Sequence, residues 1–205
     1  SISKKKPTKK RFQKKVKYKF VNTTNYKFFK RKISGNFDYV INAGGYGENP
    51  EFGKIGDKLF KSHYLSLINL IKILSKKKIK KFIQIGSSAE YGNIKSPQKE
   101  NSICKPNSPY SLAKFYCTNF LLNFFKINKF PITILRFFLV YGPNQDKNRI
   151  LPQIIENSLK NKSFATTKGL QYCDFCYIDD AITAIFKTLV SKKADGPNAI
   201  RRFRS

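Results

Sequence analysis

Acidic residues are scarce in this chain. Only 12 of its 205 residues are Asp or Glu, against 41 Lys and Arg, so the formal charge is +29 and residues 1–37 hold no acid at all. Such a balance can indicate contact with nucleic acid or an anionic membrane. However, Trp and Met are absent while Lys, Asn, Ile, Phe and Tyr are abundant, a profile typical of an AT-rich genome. Solvated basic surface is therefore the favoured interpretation over nucleic-acid binding.

Other shortages argue against metal sites, membrane spans and secretion. The chain has one histidine, His63, and four cysteines, of which only Cys173 and Cys176 are closely spaced. Without a second close pair, a zinc or redox site is not expected, and the cysteines are predicted to be buried, reduced thiols. No apolar run approaches the roughly 20 residues that span a bilayer. No apolar segment follows the basic N-terminus as in a secretory signal, and a cytoplasmic location is expected.

The order of apolar segments predicts a parallel α/β sheet. One strand begins at Phe37 and runs into the small residues 43–45; others are predicted at 82–85 and 132–138, with a weaker one at 16–21. Helical patterns over 58–76 and 109–126 separate the main strands. Strands that alternate with helices in this way form parallel sheets with crossover helices. The 40% hydrophobic content suits one globular core.

Tyr110 and Lys114 are the strongest candidates for chemistry. They lie four residues apart in a predicted helix, so both polar tips can project from one face. An ammonium close to a phenol stabilises the phenolate, which makes a general acid/base suited to a sugar hydroxyl or ketone. The simpler alternative is a helix with a partly buried Tyr and a solvated Lys.

A serine turn follows the predicted strand at 82–85. Gly86, Ser87 and Ser88 stand at its carboxyl end, the edge at which parallel α/β sheets bind their ligands. A serine there can hydrogen-bond the same substrate oxygen that Tyr110 protonates.

Together these motifs resemble the extended short-chain dehydrogenases/reductases, in the nucleotide-sugar epimerase/dehydratase branch. The resemblance covers about Phe37 to Leu189. It is carried, in order, by Asn42-Ala43-Gly44, Gly86-Ser87-Ser88-x-x-Tyr91-Gly92, Pro109-Tyr110-Ser111-x-x-Lys114, Leu135-Arg136-x-x-x-Val140-Tyr141-Gly142-Pro143 and Gly169-x-Gln171-x-x-Asp174-Phe175-x-Tyr177-Ile178-Asp179-Asp180.

The resemblance implies a role for each matching residue. Tyr110 would be the catalytic acid/base, Lys114 the lysine that holds the nicotinamide ribose, and Ser87 the hydroxyl that orients the substrate. The substrate would also meet Ser88 and Arg149, although Arg149 can equally be an exposed arginine of a basic protein. The cofactor would be NAD or NADP, contacted by Asn22, Asn42, Ala43, Gly44, His63, Ile85, Tyr110, Lys114, Phe137 and Val140.

The resemblance also implies an architecture. The expected fold is a Rossmann-like parallel sheet, N-terminally truncated, with a partial C-terminal substrate lobe. We expect a basic N-terminal segment with the remnant of an early strand over 1–32, the truncated core over 33–144, and the partial lobe and tail over 145–205. The helices at 58–76 and 109–126 resemble those through which the family forms homodimers. Alternatively, their apolar residues form an ordinary core-facing stripe, and the remaining aromatic residues are scattered over the surface.

Several positions depart from the family pattern. The family opens with a strand and a Gly-x-x-Gly-x-x-Gly turn that seats the cofactor pyrophosphate, and no such turn precedes Asn42. This absence puts cofactor affinity in question. Asn22 stands where the family usually has an Asp near adenine, His63 where it often has an Asn, and Cys173 where a phosphate-binding Arg is frequent. His63 is either a packing residue or a proton relay.

The reaction type follows from the residues after Ser87. Sugar 4,6-dehydratases usually carry an acidic pair there, whereas this chain has Ser88 and Ala89, and Glu90 is expected to point elsewhere. The expected function is therefore hydride transfer between NAD(P) and a carbon of a nucleotide sugar, as in an epimerase or a 4-ketoreductase similar to CDP-abequose synthases. Two alternatives stay open: an inactive remnant that binds nucleic acid or other polyanions, and a chain that does not fold alone.

Overall fold

The computed structural model describes residues 2–3, 15–45, 51–166, 168, 173–191 and 200–203, the first and last ranges by backbone alone. Most of the predicted basic run at 4–15 lies outside the described residues, as do the motif residues Gly169 and Gln171. The strands are β1 (Ile2–Ser3), β2 (Lys19–Phe20), β3 (Tyr39–Asn42), β4 (Lys81–Ser87), β5 (Ile132–Phe137), β6 (Leu139–Tyr141), β7 (Phe175–Tyr177) and β8 (Ile200–Phe203). The α-helices are α1 (Tyr26–Lys32), α2 (Lys54–Leu74), α3 (Pro109–Asn128), α4 (Ile150–Leu159) and α5 (Ile178–Val190).

The main sheet has the order β3-β4-β5-β8, and every pair in it is parallel. Two further parallel pairs, β1 with β2 and β6 with β7, form separate small sheets. The long helices α2 and α3 pack against each other and against the main sheet. The predicted Rossmann-like parallel sheet with crossover helices is confirmed. Helix α2 begins four residues earlier than predicted, and the weak strand predicted at 16–21 is reduced to the two residues of β2.

Alternating side chains of β4 and β5 build two cores, one on each face of the sheet. Phe82 and Ile134 face α2 and α3, where they join Leu67, Ile71, Cys117 and Leu121. Ile83 and Leu135 face the opposite side and pack with Cys176 and Ala181, at β7 and α5. Because both faces are covered, these strands are continuously apolar in the way that buried parallel strands require.

Two elements of the segment assigned to the substrate lobe belong with this sheet. Helix α5 packs on β4 and β5, and β8 pairs with β5 in a register that places Ile200 opposite Ile134. The tail at 194–205, which does not continue the motif pattern, thus contains a strand of the main sheet. The division at residue 144 stays a prediction; α5 and β8, which follow it in the chain, pack with the core sheet.

Candidate active site

The start of helix α3 places Tyr110 and Lys114. Ser108 caps the helix, because its side chain accepts a hydrogen bond from the Ser111 N–H, and Pro109 occupies the first helical position. Both are residue types that favour a helix start. Tyr110 therefore lies in the first helical turn, half-buried, and Lys114 follows one turn later.

Lys114 points back toward the end of β4. Its side chain is 5% exposed, and its Nζ donates a hydrogen bond to the carbonyl oxygen of Ile85 at 2.9 Å. The same Nζ lies 5.8 Å from the centroid of the Tyr110 ring. The common face inferred from the four-residue spacing is confirmed. The start of α3 thus places a phenol and a buried amine side by side near the carboxyl end of β4.

Ser87 ends β4 and caps the short 3-10 helix Ser88–Tyr91. Its Oγ accepts a hydrogen bond from the Ala89 N–H at 3.2 Å, so the hydroxyl proton is the part that can be donated to a ligand. Ser87 and Ser88 are both half-buried at the carboxyl edge of the sheet. Ser87 is thus held with a donor at the edge where parallel sheets bind ligands.

Glu90 is withdrawn from this edge, as the sequence analysis expected. Its side chain is fully buried; one carboxylate oxygen accepts the Ser87 N–H, and the other accepts hydrogen bonds from Thr118 and Arg136. Arg136 is itself buried and its guanidinium lies 4.7 Å from the centroid of the Tyr91 ring. Burial lowers the pKa of Arg136, but the Glu90 charge raises it, and the net direction is upward. Neither charge is available for acid or base chemistry on a ligand.

Asn42 ends β3, and Ala43 and Gly44 follow it at the same edge of the sheet. The Asn42 amide donates to Gln84 Oε1 at 2.8 Å, and Gln84 Nε2 donates to the Ile85 carbonyl at 3.1 Å, the oxygen that also accepts from Lys114. A hydrogen-bond chain therefore joins the β3 turn to the helix of Tyr110. The sequence analysis missed Gln84, although a polar residue within the apolar run of β4 was a signal for it.

His63 lies between the β3 turn and Tyr110. It is 6% exposed, and its ring meets the Tyr110 ring edge to face with the centroids 5.6 Å apart. A Cβ on Gly45 would collide with the His63 ring, so only glycine allows this approach. The structure thus brings His63 next to the candidate acid/base; its role as packing residue or relay stays a prediction.

The other predicted site residues lie farther along the edge or beyond it. Phe137 is buried at the end of β5 and Val140 is half-buried in β6. Asn22 lies on the exposed turn before α1, where its Oδ1 accepts hydrogen bonds from the Thr24 N–H and hydroxyl. Arg149 is exposed and precedes the first residue of α4. Lys114 and His63 lie next to Tyr110, and Lys114 bonds to Ile85, whereas Asn22 and Arg149 occupy separate exposed turns.

The described residues also bear on metal binding and membrane insertion. Within them, no group of three or more His, Cys, Asp or Glu side chains is placed to hold a metal ion. None of the helices described is both long and apolar enough to cross a lipid bilayer.

The arrangement around Tyr110 agrees with a match to a known family. A model of the NAD dependent epimerase/dehydratase family matches residues 2–200. The chain belongs to this family. The resemblance inferred from the ordered motifs is therefore confirmed, and the members of the family are enzymes that act with NAD.

Individual relatives are similar over part of their length. The chain is 27% identical over 184 residues to a dTDP-D-glucose 4,6-dehydratase of Dictyostelium discoideum, covering 78% of this chain and 42% of that protein. It is 30% identical over 125 residues to the uncharacterized UDP-glucose epimerase YtcB of Bacillus subtilis, covering 60% of this chain and 40% of the relative. The chain thus spans less than half of each of these two relatives.

Solved structures of two nucleotide-sugar epimerases also superpose on this chain over part of their own length. UDP-glucuronic acid 4-epimerase from Bacillus cereus, in complex with NAD, superposes with a TM-score of 0.77 at 26% identity, over 92% of this chain and 60% of the epimerase. UDP-glucose 4-epimerase from Thermotoga maritima superposes with a TM-score of 0.84 over 97% of this chain and 65% of that one. At 22% identity, the second likeness shows the fold alone.

Proposed function

We propose that this chain carries the acid–base centre of a nucleotide-sugar oxidoreductase of the epimerase or 4-ketoreductase type. The observation that carries the proposal is the Lys114 ammonium. It is buried, lies beside the Tyr110 ring and donates a hydrogen bond to the Ile85 carbonyl oxygen at 2.9 Å. Ile85 precedes Ser87 by two residues in β4. These three side chains are the ones that the reaction requires.

The proton moves through Tyr110. When the sugar hydroxyl is oxidised, its proton passes to the Tyr110 phenolate and the carbon–oxygen bond becomes a carbonyl; reduction returns the proton from the phenol. Lys114 stabilises the phenolate by its charge. Ser87 donates its hydroxyl proton to the same sugar oxygen and so fixes the substrate for transfer. NAD(P), when bound, takes up or returns the hydride.

The residues at the edge suit a dinucleotide in part. Asn42, Ala43 and Gly44 form a turn of small residues whose backbone a ligand can approach, and Lys114 has two N–H donors beyond its bond to Ile85. The Asn22 amide nitrogen is the group available to an adenine ring, because its oxygen is engaged by Thr24. The first 41 residues contain one glycine, Gly35, so they offer no glycine-rich turn for the pyrophosphate.

Two residues argue against the dehydratase reaction, although several relatives carry that name. Ser88 and Ala89 have no carboxyl group with which to remove a proton or protonate a leaving hydroxyl. Glu90 is fully buried and engaged by three donors. An epimerase or 4-ketoreductase needs only Ser87, Tyr110 and Lys114, which the chain provides.

The substrate and partners are further parts of the proposal. Ser88 and Arg149 would contact a nucleotide sugar, with the Arg149 guanidinium near its phosphates. A homodimer would form through α2 and α3, whose outer surface carries Leu65 at 40% and Tyr116 at 46% exposure. The cytoplasmic location also stays a prediction.

The test is turnover of a panel of UDP-, dTDP-, CDP- and GDP-sugars with NAD and NADP, compared between the wild type and Tyr110→Phe. Loss of the phenol oxygen should lower turnover by at least about a hundredfold, since general acid–base catalysis contributes on that scale. Tyr116→Phe is the matched control, because Tyr116 lies on the same helix with an exposed side chain. It should leave turnover unchanged.

Unchanged turnover in Tyr110→Phe would contradict the mechanism. A folded wild type that turns over no member of the panel would contradict the function. Anion binding that falls steeply with salt and shows no preference for a dinucleotide would then favour the polyanion-binding alternative.

A further inference from the structure

The proposed mechanism does not use the most buried charges of the molecule. Glu90 is 0% exposed and Arg136 3%, and the Arg136 Nε lies 2.9 Å from the Glu90 Oε2. An ion pair of this kind is poor evidence for stability, since desolvation of the two charges can outweigh their attraction. The position of the pair suggests a different use.

Glu90 connects three elements that carry the candidate centre. Its Oε1 accepts the Ser87 backbone N–H at 3.0 Å, and its Oε2 accepts the Thr118 hydroxyl at 2.8 Å as well as the Arg136 Nε. Ser87 ends β4, Arg136 lies in β5, and Thr118 lies on α3 one turn after Lys114. The carboxylate thus joins the serine turn directly to the helix of Tyr110 and Lys114.

The surrounding backbone is built to admit this carboxylate. A Cβ on Gly86 would lie 2.7 Å from the Glu90 Oε1, closer than real Cβ atoms approach, and 3.3 Å from the Arg136 Cγ, which is a tight contact. The second donor group of Arg136, Nη1, reaches the Glu100 carbonyl at 3.3 Å and so engages the loop between β4 and α3. Both Glu90 oxygens and two nitrogens of Arg136 therefore make hydrogen bonds within the elements and the loop around the centre.

We propose that Glu90 is a positioning residue, which holds Ser87 at a fixed distance from Tyr110 and Lys114 through its bonds to Ser87, Thr118 and Arg136. The inference rests on the proposed function and deepens it. Ser87 can share one substrate oxygen with Tyr110 only while the end of β4 and the start of α3 keep a fixed separation. Glu90 sets that separation and does not itself touch the substrate.

The experiment replaces the pair by apolar side chains of similar size, Glu90→Leu with Arg136→Met in one protein. Such replacements of buried ion pairs are often neutral or stabilising, so the double variant is expected to fold. Its turnover should nevertheless fall roughly tenfold to a hundredfold in kcat, because small misplacements of reacting groups have effects of that size. Cofactor affinity should not change. The matched control is Thr188→Val, which removes a buried hydroxyl bonded to Ala184 in α5.

A second variant gives a readout that does not need turnover. Thr118→Val leaves the ion pair intact and removes one of the three bonds to the carboxylate. Hydrogen exchange of the Ser87 amide should become severalfold faster in this variant and in the double variant, but not in Thr188→Val.

The outcomes separate the two proposals. A double variant with wild-type melting temperature and wild-type kcat would overturn the positioning role and leave the pair a packing feature. An unchanged Ser87 exchange rate in Thr118→Val would also overturn it. If the wild type has no turnover but both variants accelerate exchange at Ser87, the proposed function fails while the coupling by Glu90 stands.

Discussion

Strands β5 and β3 belong to the same parallel sheet but have very different surroundings. All six residues of β5 are buried, and the strand pairs with β4 on one side and β8 on the other. Strand β3 pairs only with β4 among the described residues, and its Tyr39 and Ile41 side chains are 49% and 43% exposed. Among the described residues, the sheet thus has a closed side at β5 and an open side at β3.

The candidate site divides along the same line. Ser87, Lys114, Glu90 and Arg136 lie on the closed side, where each has a hydrogen bond to a neighbouring element. The small residues 43–45, which would face a cofactor, follow β3 on the open side and are exposed. The difference teaches that the proposed proton-transfer groups are fixed by packing on several elements. The residues proposed to face the cofactor follow β3, which is held by β4 alone among the described strands.

Thiol reactivity should show the largest contrast between the closed side and the exposed segments. Burial raises the pKa of Cys117 on α3 from 9.0 to about 12, which lowers its thiolate fraction at neutral pH about a thousandfold. Cys173 is exposed. Alkylation of the native protein with iodoacetamide, followed by peptide mass spectrometry, should modify Cys173 first and Cys117 only after unfolding.

The same pKa has a consequence for stability at alkaline pH. The unfolded chain releases the Cys117 proton near pH 9, whereas the folded chain keeps it until about pH 12. This contribution to stability is therefore complete below about pH 9 and decreases as the pH rises toward 12. Cys117→Ala should flatten that decrease in urea titrations, and Cys173→Ala should not. Rapid native alkylation of Cys117 would contradict the closed packing.

Matched truncations on the two strands should differ in stability. Ile134→Ala removes a fully buried side chain from β5 and should lower the free energy of unfolding by about 2–5 kcal/mol. Ile41→Ala removes a side chain that is 43% exposed on β3, and the loss should stay below about 1 kcal/mol. Urea denaturation followed by circular dichroism measures both. Equal losses would show that β3 is as well packed as β5.

The open side should also promote weak self-association. An exposed strand edge with apolar side chains is a template for pairing with another chain. Ile41→Lys places a charge there and should lower association in sedimentation velocity by a modest factor. Ile103→Lys is the control, since Ile103 is 79% exposed in the loop before α3 and belongs neither to a strand nor to α2 or α3. A reduction by the control alone would place the association elsewhere.

The motifs predicted the fold and the central pair because both depend on local order in the sequence. The four-residue spacing of Tyr110 and Lys114 determines a helix face, and the apolar runs at β4 and β5 determine buried strands. The hydrogen bonds among Glu90, Thr118 and Arg136 could not be predicted from the sequence, since these residues are separated by up to 46 residues and meet only in the tertiary fold. Gln84 was a visible polar residue in an apolar strand, but its link to Asn42 and, through the Ile85 carbonyl, to Lys114 joins elements that meet only in the tertiary fold.

The central claim is that a dinucleotide, whose predicted contacts at residues 43–45 lie on the open side, is also held from the closed side by Lys114. Calorimetric titration of the wild type with NADH and NADPH at moderate salt, with ATP as the control ligand, tests it most directly. We predict saturable binding that prefers a dinucleotide to ATP. Lys114→Met should weaken this binding by at least about tenfold, because a charged hydrogen-bond donor is lost.

Lys126→Met, an exposed lysine on the same helix, removes the same charge and should bind as the wild type does. A folded chain that shows no preference between dinucleotide and ATP, or equal losses in the two lysine variants, would contradict the claim.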